Sequence, residues 1–389
     1  MWEGDRSKFP EIIDGKPVID LDSQKYVKIW QGPQHPGVTG NIALEVTLCG
    51  DEVVDLKTHV GYLHRGFEKL LERRTWMQGF TIVCRICVPE PDTNEYLFAA
   101  GVEELSGITV PAKAEWIRTL TLEMARLASF LMWLGGQAAA FGMGTVGQWT
   151  VAHRDFLLDI FEELSGGRIY HMYIVPGGVR ADLPKGLDRR LEDVLKKIEI
   201  LLKDVDRVLF NNAIFKLRSR GLGIVTRDMV DSYGVVGPVA RAAGLARDLR
   251  KDHPYLVYEK LDFDIITATG SDAFTRAQVR FKEMYQCIDL IRQILSRMPD
   301  SGDFYTPVPN VLHWKIPAGA TFVQAEASRG EYGYYMVSDG TAYPRRIAVR
   351  GPSYSHAIAL LQKLAINTNI ADLAGLMVSL QTCPPEIER

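Results

Sequence analysis

Two short segments far apart in the sequence share one spacing, Cys87-Val88-Pro89-Glu90 and Cys383-Pro384-Pro385-Glu386. Each sets a thiol and a carboxylate three residues apart, so a fold that joins them concentrates two sulfurs and two carboxylates, with Cys84 as an available third sulfur. Such a set suits neither a structural zinc site, built from Cys with Cys or His, nor the oxygen cage of calcium or magnesium. Thiols act as thiolates, attacking sulfur through exchange. Carboxylates lifted in pKa by burial can hold and pass protons. The plainer reading makes Cys87 and Cys383 small buried core residues, as an arbitrary cysteine usually is. The repeated spacing brings the functional reading level with it.

The cysteines are Cys49, Cys84, Cys87, Cys287 and Cys383, an odd number at irregular spacing, which argues for thiols rather than a disulfide framework. Cys49 closes a strand pattern and Cys287 lies beside the apolar stripe of a helix, so both read as core. Cys84-Arg85-Ile86-Cys87 is itself a Cys-x-x-Cys pair in a displaced register. Arg85 places a cation next to these thiols; a surface or interface ion pair is its plainer role. His35 sits in a Pro- and Gly-rich loop able either to aim it into a pocket or to pack it within the loop.

The elements that must position these groups are legible from periodicity. Ile42, Leu44, Val46 and Leu48 alternate with Ala43, Glu45 and Thr47, a half-buried strand, and Gly50-Asp51 turns it into Val53–Leu56. From His64 the pattern becomes helical. Asp92-Thr93-Asn94-Glu95 reads as an N-cap with a carboxylate three residues on, opening a helix through Leu105, and Pro111 opens the next. Further helices are expected over about 152–164, 186–209 and 271–297. Strands follow near Thr321–Glu326 and Tyr332–Val337, turning at Asp339-Gly340 and returning through Arg346–Arg350, before a last helix over about 354–379. The expected class is α+β, mainly α: a central helix bundle with β segments from the N- and C-terminal regions packed together at one side. Residues 1–63 would form a β region, 64–300 the bundle, and 301–389 the hairpin region, final helix and tail of one integrated domain.

At 389 residues and 47% hydrophobic, the chain can bury a substantial core. Its net charge of −3, with no basic run, excludes nucleic acid as an expected partner. The opening MWEGDRSKFPEII does not read as a signal peptide, which points to a reducing, cytoplasmic setting. The uncharged run between Arg126 and His153 is long enough to span a bilayer, but Gln137, its glycines and Gln148-Trp149-Thr150 favour a helix inside a bundle. With no GxGxxG, Walker loop or full iron–sulfur cysteine set, neither a nucleotide nor a cluster of its own is expected.

The segments GPQHPG from Gly32, HVGYLHRGFEKL from His59, YIVPGGVRADLP from Tyr173 and RGEYGYYMVSDGT from Arg329 resemble, in the same order, the signature stretches of the quinone-site large subunit of complex I. The resemblance covers nearly the whole chain. That subunit shares its fold with the large subunits of nickel–iron hydrogenases, and the resemblance implies the same fold here. It places Cys87 and Cys383 on the first cysteine of each hydrogenase Cys-x-x-Cys pair, Glu90 and Glu386 on the second, metal-bridging cysteine, and Asn94 on a histidine. A carboxylate is a harder ligand of different reach, so a standard dinuclear site is not expected. Thr39, Val88 and Ala140 stand where the complex I pattern has its headgroup histidine, its tyrosine and the supporting aspartate, a set poor in hydrogen-bond donors for a quinone.

The membrane-bound sulfane sulfur reductases of sulfur-respiring archaea share this architecture, and the chain resembles their catalytic-type large subunit. The resemblance implies electrons from ferredoxin, passed through 4Fe–4S clusters in partner subunits to polysulfide. Those partners would be an iron–sulfur small subunit and a ferredoxin-like cluster subunit. The chain would bind no metal or cofactor itself and would sit at the cytoplasmic face beside ion-translocating membrane subunits. Cys87 and Cys383, then Cys84, are the candidate thiols, with Glu90 and Glu386 as proton-handling neighbours. Arg65-Gly66-Phe67-Glu68 resembles the hydrogenase RGxE element, which makes Glu68 a candidate proton donor; a solvated helix carboxylate beside Lys69 is its plainer role. Arg85 would attract an anionic polysulfide or tune a nearby cluster. The rival readings are a quinone-reducing complex I-type subunit, an unusual membrane-bound hydrogenase, and a subunit that lost catalysis and only couples partners.

Overall fold

The computed structural model describes residues 9–389 apart from 14–15, 22–24, 36–40 and 310–313. After a hairpin of Glu11–Ile13 and Lys16–Val18, three antiparallel strands, Val27–Gln31, Ala43–Cys49 and Glu52–His59, form a meander. Leu44, Val46 and Leu48 point from the central strand into a core shared with Val225, Leu360, Leu376 and Ile387. The alternation sets these three strand residues on one core-facing side, but Ala43 and Thr47 on the opposite side are buried as well, and only Glu45 and Cys49 keep partial exposure.

The bundle is built on the helices Ala112–Ala140, Gly144–Ser165, Leu187–Val205 and Ala273–Arg297, whose apolar faces form one core cluster. The long uncharged run does not make one span: it divides between two helices that part at Phe141–Met143, where Gly142 takes φ +86. Gly135 and Gly147 allow these helices to touch backbone to backbone, since a Cβ on Gly147 would lie 2.9 Å from the Gly135 carbonyl oxygen. Among the described residues no helix is long and apolar enough to cross a membrane.

A second antiparallel sheet, Gly319–Ala327, Gly330–Ser338 and Pro344–Arg350, has the middle strand at its centre and packs Tyr334, Met336, Ile347 and Val349 with Phe67, Leu71 and Phe98. The chain is thus α+β and mainly α, as expected. Its β segments nevertheless form separate sheets, each with its own side-chain cluster, and the C-terminal segment after Arg350 joins the two ends.

Two local expectations need correction. The last helix is broken between Ala365 and Ile370, where Asn367 takes φ +67 and the backbone turns to the first sheet: Asn367 N–H donates to the Val53 carbonyl, Val53 N–H to that of Thr368, and Ile370 N–H to that of Asp51. Strand-like pairing with a distant turn overrides helical propensity there. Asp92 is not an N-cap. The helix runs Pro91–Ser106 with Glu90 at the cap position and Pro91 in the first turn, and the Asp92 and Glu95 carboxylates are turned to other partners.

Candidate active site

The two Cys-x-x-Glu segments reach the site by different local structures. The helix Trp76–Val83, capped by Thr75 and Gln78, ends at Cys84, and the next N–H groups, of Arg85 and Ile86, close tight turns onto Ile82 and Val83. Pro89 and Pro91 then disfavour helix at Val88 and Glu90, so Cys87–Glu90 is a connector rather than a helix turn. At the other end Cys383 is the N-cap of the short helix Pro384–Glu388, and Glu386 lies within its first turn, its N–H donated to the Cys383 carbonyl at 3.2 Å.

These segments meet in the interior. The Cys87 and Cys383 sulfurs are 4.0 Å apart, and both residues are buried. Ligand atoms of Cys87, Cys383 and Glu386 all lie within 4.8 Å of one another. Between them lies a group that spacing along the chain does not point to, the guanidinium of Arg329. Its Nη2 donates to Cys87 Sγ at 2.6 Å and lies 3.1 Å from Glu90 Oε2 and 3.4 Å from Glu386 Oε2. Arg329 is 1% exposed, so this cation and both carboxylates are fully inside the protein.

Each carboxylate is held by a serine and its backbone. Ser328 N–H donates to Glu90 Oε1 at 2.7 Å and its hydroxyl to Oε2 at 2.6 Å. Ser353 N–H donates to Glu386 Oε1 at 2.9 Å, its hydroxyl donates to the same oxygen, and Cys383 N–H donates to that hydroxyl at 2.9 Å. Arg329 and Ser328 sit on the turn joining the strands Gly319–Ala327 and Gly330–Ser338. Gly237 lets the backbone approach this turn: it takes φ +66, and a Cβ there would lie 2.3 Å from the Arg329 carbonyl oxygen.

Burial, and then the hydrogen bond from Cys383, push the Cys87 thiol well above its ordinary range, while the Arg329 guanidinium pulls it down. Burial opposes the charge on Arg329, but Cys87, Glu386 and Glu90 hold it well above its usual range, so the cation is permanent. Three buried polar atoms at the cluster, Arg329 Nε, Glu386 Oε2 and the Tyr332 hydroxyl, have no hydrogen-bond partner among the described residues. Such capacity is costly unless something uses it.

Asn94, at the hydrogenase histidine position, bridges Glu90 and the second sheet: its amide donates to the Glu90 carbonyl at 3.3 Å, and it accepts from the Tyr334 hydroxyl at 2.7 Å. Cys84 stays apart from the thiol pair, its sulfur 3.7 Å from the Thr81 carbonyl and 3.3 Å from Arg85 Nη1, and burial pushes its thiol up to about 12. Arg85 is half-buried, bonded to the Thr81 carbonyl and lying over the Tyr170 ring at 5.0 Å. Glu68 is tied into an ion cluster, accepting from Arg346 at 2.7 Å, from Arg389 at 2.9 Å and from Val349 N–H at 2.9 Å. Burial raises its carboxyl, but the Val349, Arg389 and Arg346 donors outweigh that and hold it below the usual range, the state of an anchor for the terminal arginine. His35 is exposed, its N–H donated to the Gly32 carbonyl at 3.0 Å. Thr39 lies outside the described residues; Val88 and Ala140 are half-buried. The signal for Arg329 was present in RGEYGYY as an arginine in a two-residue turn between apolar strands, but nothing in local spacing reveals its partners.

Two thiols and a carboxylate within 4.8 Å are a donor set a metal could use. The Arg329 guanidinium already supplies the counter-charge, 2.6 Å from one of those sulfurs. A divalent ion would have to share the interior with that buried cation, which the electrostatics oppose. Two sulfurs and two carboxylates around a buried guanidinium do not make the thiolate-rich set that nickel and iron take.

Residues 140–315 and 308–389 match the family model described as respiratory-chain NADH dehydrogenase, 49 Kd subunit. The chain is 42% identical over 365 residues to an NADH-quinone oxidoreductase subunit of Thermosipho melanesiensis, covering 93% of this chain and 99% of that one. It is 39% identical over 372 residues to an F(420)H(2) dehydrogenase subunit of Methanosarcina mazei, covering 95% and 99%. Among solved structures, a chain of the membrane-bound sulfane sulfur reductase, an archaeal respiratory membrane complex, superposes with a TM-score of 0.91 at 40% identity, covering 94% of this chain and 99% of that one. Matches of this extent, in sequence and in fold, show that the chain belongs to the family of the respiratory-chain NADH dehydrogenase 49 Kd subunit.

Proposed function

We propose that this chain is the large, catalytic-type subunit of a membrane-bound respiratory oxidoreductase and that its thiol pair reduces sulfane sulfur. The observation that carries the reading is the Cys87–Cys383 pair, 4.0 Å apart, with a buried guanidinium 2.6 Å from one sulfur. A guanidinium lowers the cost of a thiolate and of an anionic sulfur chain in a dry site. The likeness to the sulfane sulfur reductase chain supports the same assignment.

The chemistry balances as two exchanges and one reduction. Cys87 passes its proton to the Glu386 carboxylate, within 4.8 Å, and the resulting thiolate attacks one sulfur of an S–S bond, forming a Cys87 mixed disulfide and expelling the other sulfur as a thiolate or sulfide. The Cys383 thiolate then attacks Cys87 Sγ, forming the Cys87–Cys383 disulfide and releasing the remaining sulfur fragment. A side-chain rotation closes the 4.0 Å gap to the roughly 2 Å of an S–S bond. Two electrons, delivered from the iron–sulfur cluster of a partner subunit with ferredoxin as the donor, cleave the disulfide, and two protons restore the thiols. Glu90 and Glu386, both on Arg329, are the nearest groups to relay those protons, and coupling to ion translocation would run through the membrane partners.

The test is sulfide production by the purified intact complex with Cys87→Ser, Cys383→Ser and the double variant. All three should fall by roughly 100-fold or more and to the same level, because groups that act as a unit lose function together. Cys84→Ser should retain activity. A double variant that still produces sulfide at the parental rate ends the thiol reading. The relatives named for quinone reduction favour a second reading, a quinone-reducing subunit. Turnover of a quinone analogue by the same complex, unaffected by the double cysteine variant and without sulfide formation, would favour it.

A further inference from the structure

Away from the thiol site, two surface clefts of about 540 and 560 Å³ meet at Arg220, on either side of the short helix Ala213–Ser219. We infer that this face docks an acidic, apolar-anchored segment of another subunit of the same complex.

The helix between the clefts is fixed from below. Asn212 caps it, accepting from Ile214 N–H at 2.8 Å and Phe215 N–H at 3.1 Å. Phe215 is buried edge-on against Phe141 and Phe210. The turn that follows is held by Gly221 N–H on the Asp272 carboxylate at 2.8 Å and by Gly223, where a Cβ would meet Leu376. What the helix shows to solvent is apolar: Ile214 is 61% and Leu217 80% exposed, and Ile224 just beyond the turn is 52% exposed. One exposed leucine needs no explanation, but three large aliphatics do, with Ile214 standing on the helix and Leu217 and Ile224 lining the second cleft.

Charge identifies the partner. The two clefts are lined by Lys203, Lys216, Arg218, Arg220, Lys282 and Lys363 against Asp206 and Asp372, and Asp372 is taken by Arg218 at 2.6 Å. In a chain of net charge −3 this positive face is a local excess. The floor of the first cleft is aromatic, Phe210, Phe274 and Phe281, with the Arg220 guanidinium 5.0 Å from the Phe274 ring centre. Concave aromatic floors beneath cationic rims suit inserted side chains of a protein segment, with acids over the rim and apolar residues on the exposed aliphatics. A flat lipid surface would leave the clefts unfilled. The inference does not depend on which reaction the thiol pair performs.

A photo-reactive phenylalanine analogue in place of Leu217 in the intact complex should cross-link to an acidic segment of one other subunit, located by mass spectrometry. The charge reversal Lys216→Glu, Arg220→Glu, Lys282→Glu should lower recovery of that same subunit by roughly tenfold at low salt, and by less at higher salt, where the charges are screened. Its positions lie at the surface, and the cross-link alone tests the inference if the triple variant folds poorly. Cross-links only to lipid, only to a second copy of this chain, or to nothing would overturn it, as would full assembly of a folded triple variant.

Discussion

Arg329 decides the character of the site at the residue scale. Among the described residues it is the one cation that touches a thiol and both motif carboxylates, at 2.6, 3.1 and 3.4 Å. Removing it by Arg329→Gln strands two carboxylates in the interior. Breaking a buried ion pair from one side costs about 3–5 kcal/mol, so thermal unfolding of the assembled protein should come at a markedly lower temperature. Arg329→Lys keeps the charge but not the planar fork and should recover most of that stability while still slowing turnover. If Arg329→Gln left unfolding unchanged, the carboxylates would not depend on the guanidinium. The Cys87 and Cys383 pairing was legible as a repeated spacing. Arg329 was not, because its contact with Cys87 spans 242 positions and leaves no local pattern.

The element that carries Glu90 into the site, the helix Pro91–Ser106, is pinned by the loop that follows Gly166. Asp92 accepts from His171 Nδ1 at 2.9 Å, and the ring stacks on Phe161 at 3.9 Å. Glu95 accepts from the N–H groups of Met172, Tyr173 and Ile174, at 2.6, 2.9 and 3.2 Å. Burial opposes charge on His171, but Asp92 and then Glu95 outweigh it and raise the imidazole above its usual range. Burial and the Asp92 charge push Glu95 up to about 8. Both groups bind more protons folded than unfolded, so both make stability fall as pH rises. The His171 contribution is complete below roughly pH 6.5 and is lost as pH climbs through its raised value. The Glu95 contribution is lost as pH climbs from its ordinary 4.5 and is gone by about 8. Hydrogen exchange across 168–174 in the intact complex should quicken as pH rises from 4.5 to about 8, and Asp92→Asn should flatten the His171 part of that rise. Exchange independent of pH beyond its intrinsic rate would contradict the assignment. The sequence had offered Asp92 and Glu95 as a capping pair; their real partners lie about 75 to 80 residues away, a contact only the fold makes.

Across the whole molecule, the site lies where three core clusters abut. The connector Cys87–Glu90 follows Ile86 of the cluster under the second sheet, Cys383 precedes Ile387 of the cluster under the first, and Ser129 projects from the bundle. Gln381, at φ +54, ties them together: it accepts from Arg280 Nε at 2.7 Å, and its amide reaches Ser328 Oγ at 3.2 Å and Ser129 Oγ at 3.5 Å. Gln381→Leu leaves the Arg280 Nε donor buried without its acceptor. A lost hydrogen bond to a buried charge costs about 1.5–3 kcal/mol, and because Ser328 also holds Glu90, activity should fall with stability. Urea unfolding and sulfide production measured on the same preparation would check both; a variant losing neither would mean that the clusters do not need this link.

The sequence by itself determined most elements, the α+β class and the two Cys-x-x-Glu segments, because periodicity, prolines and spacing are local and act before the chain meets itself. The prolines around Glu90 and after Cys383 even set how each thiol is presented. Only the tertiary structure decided that Arg329 would lie at the thiol pair, that Cys84, Arg85, Glu68 and His35 would take partners of their own, and that the last helix would break to pair with the Val53 strand. Those outcomes depend on which distant groups desolvate one another. A buried guanidinium, two carboxylates and two thiols are tolerable only together, and sequence spacing carries no record of that grouping.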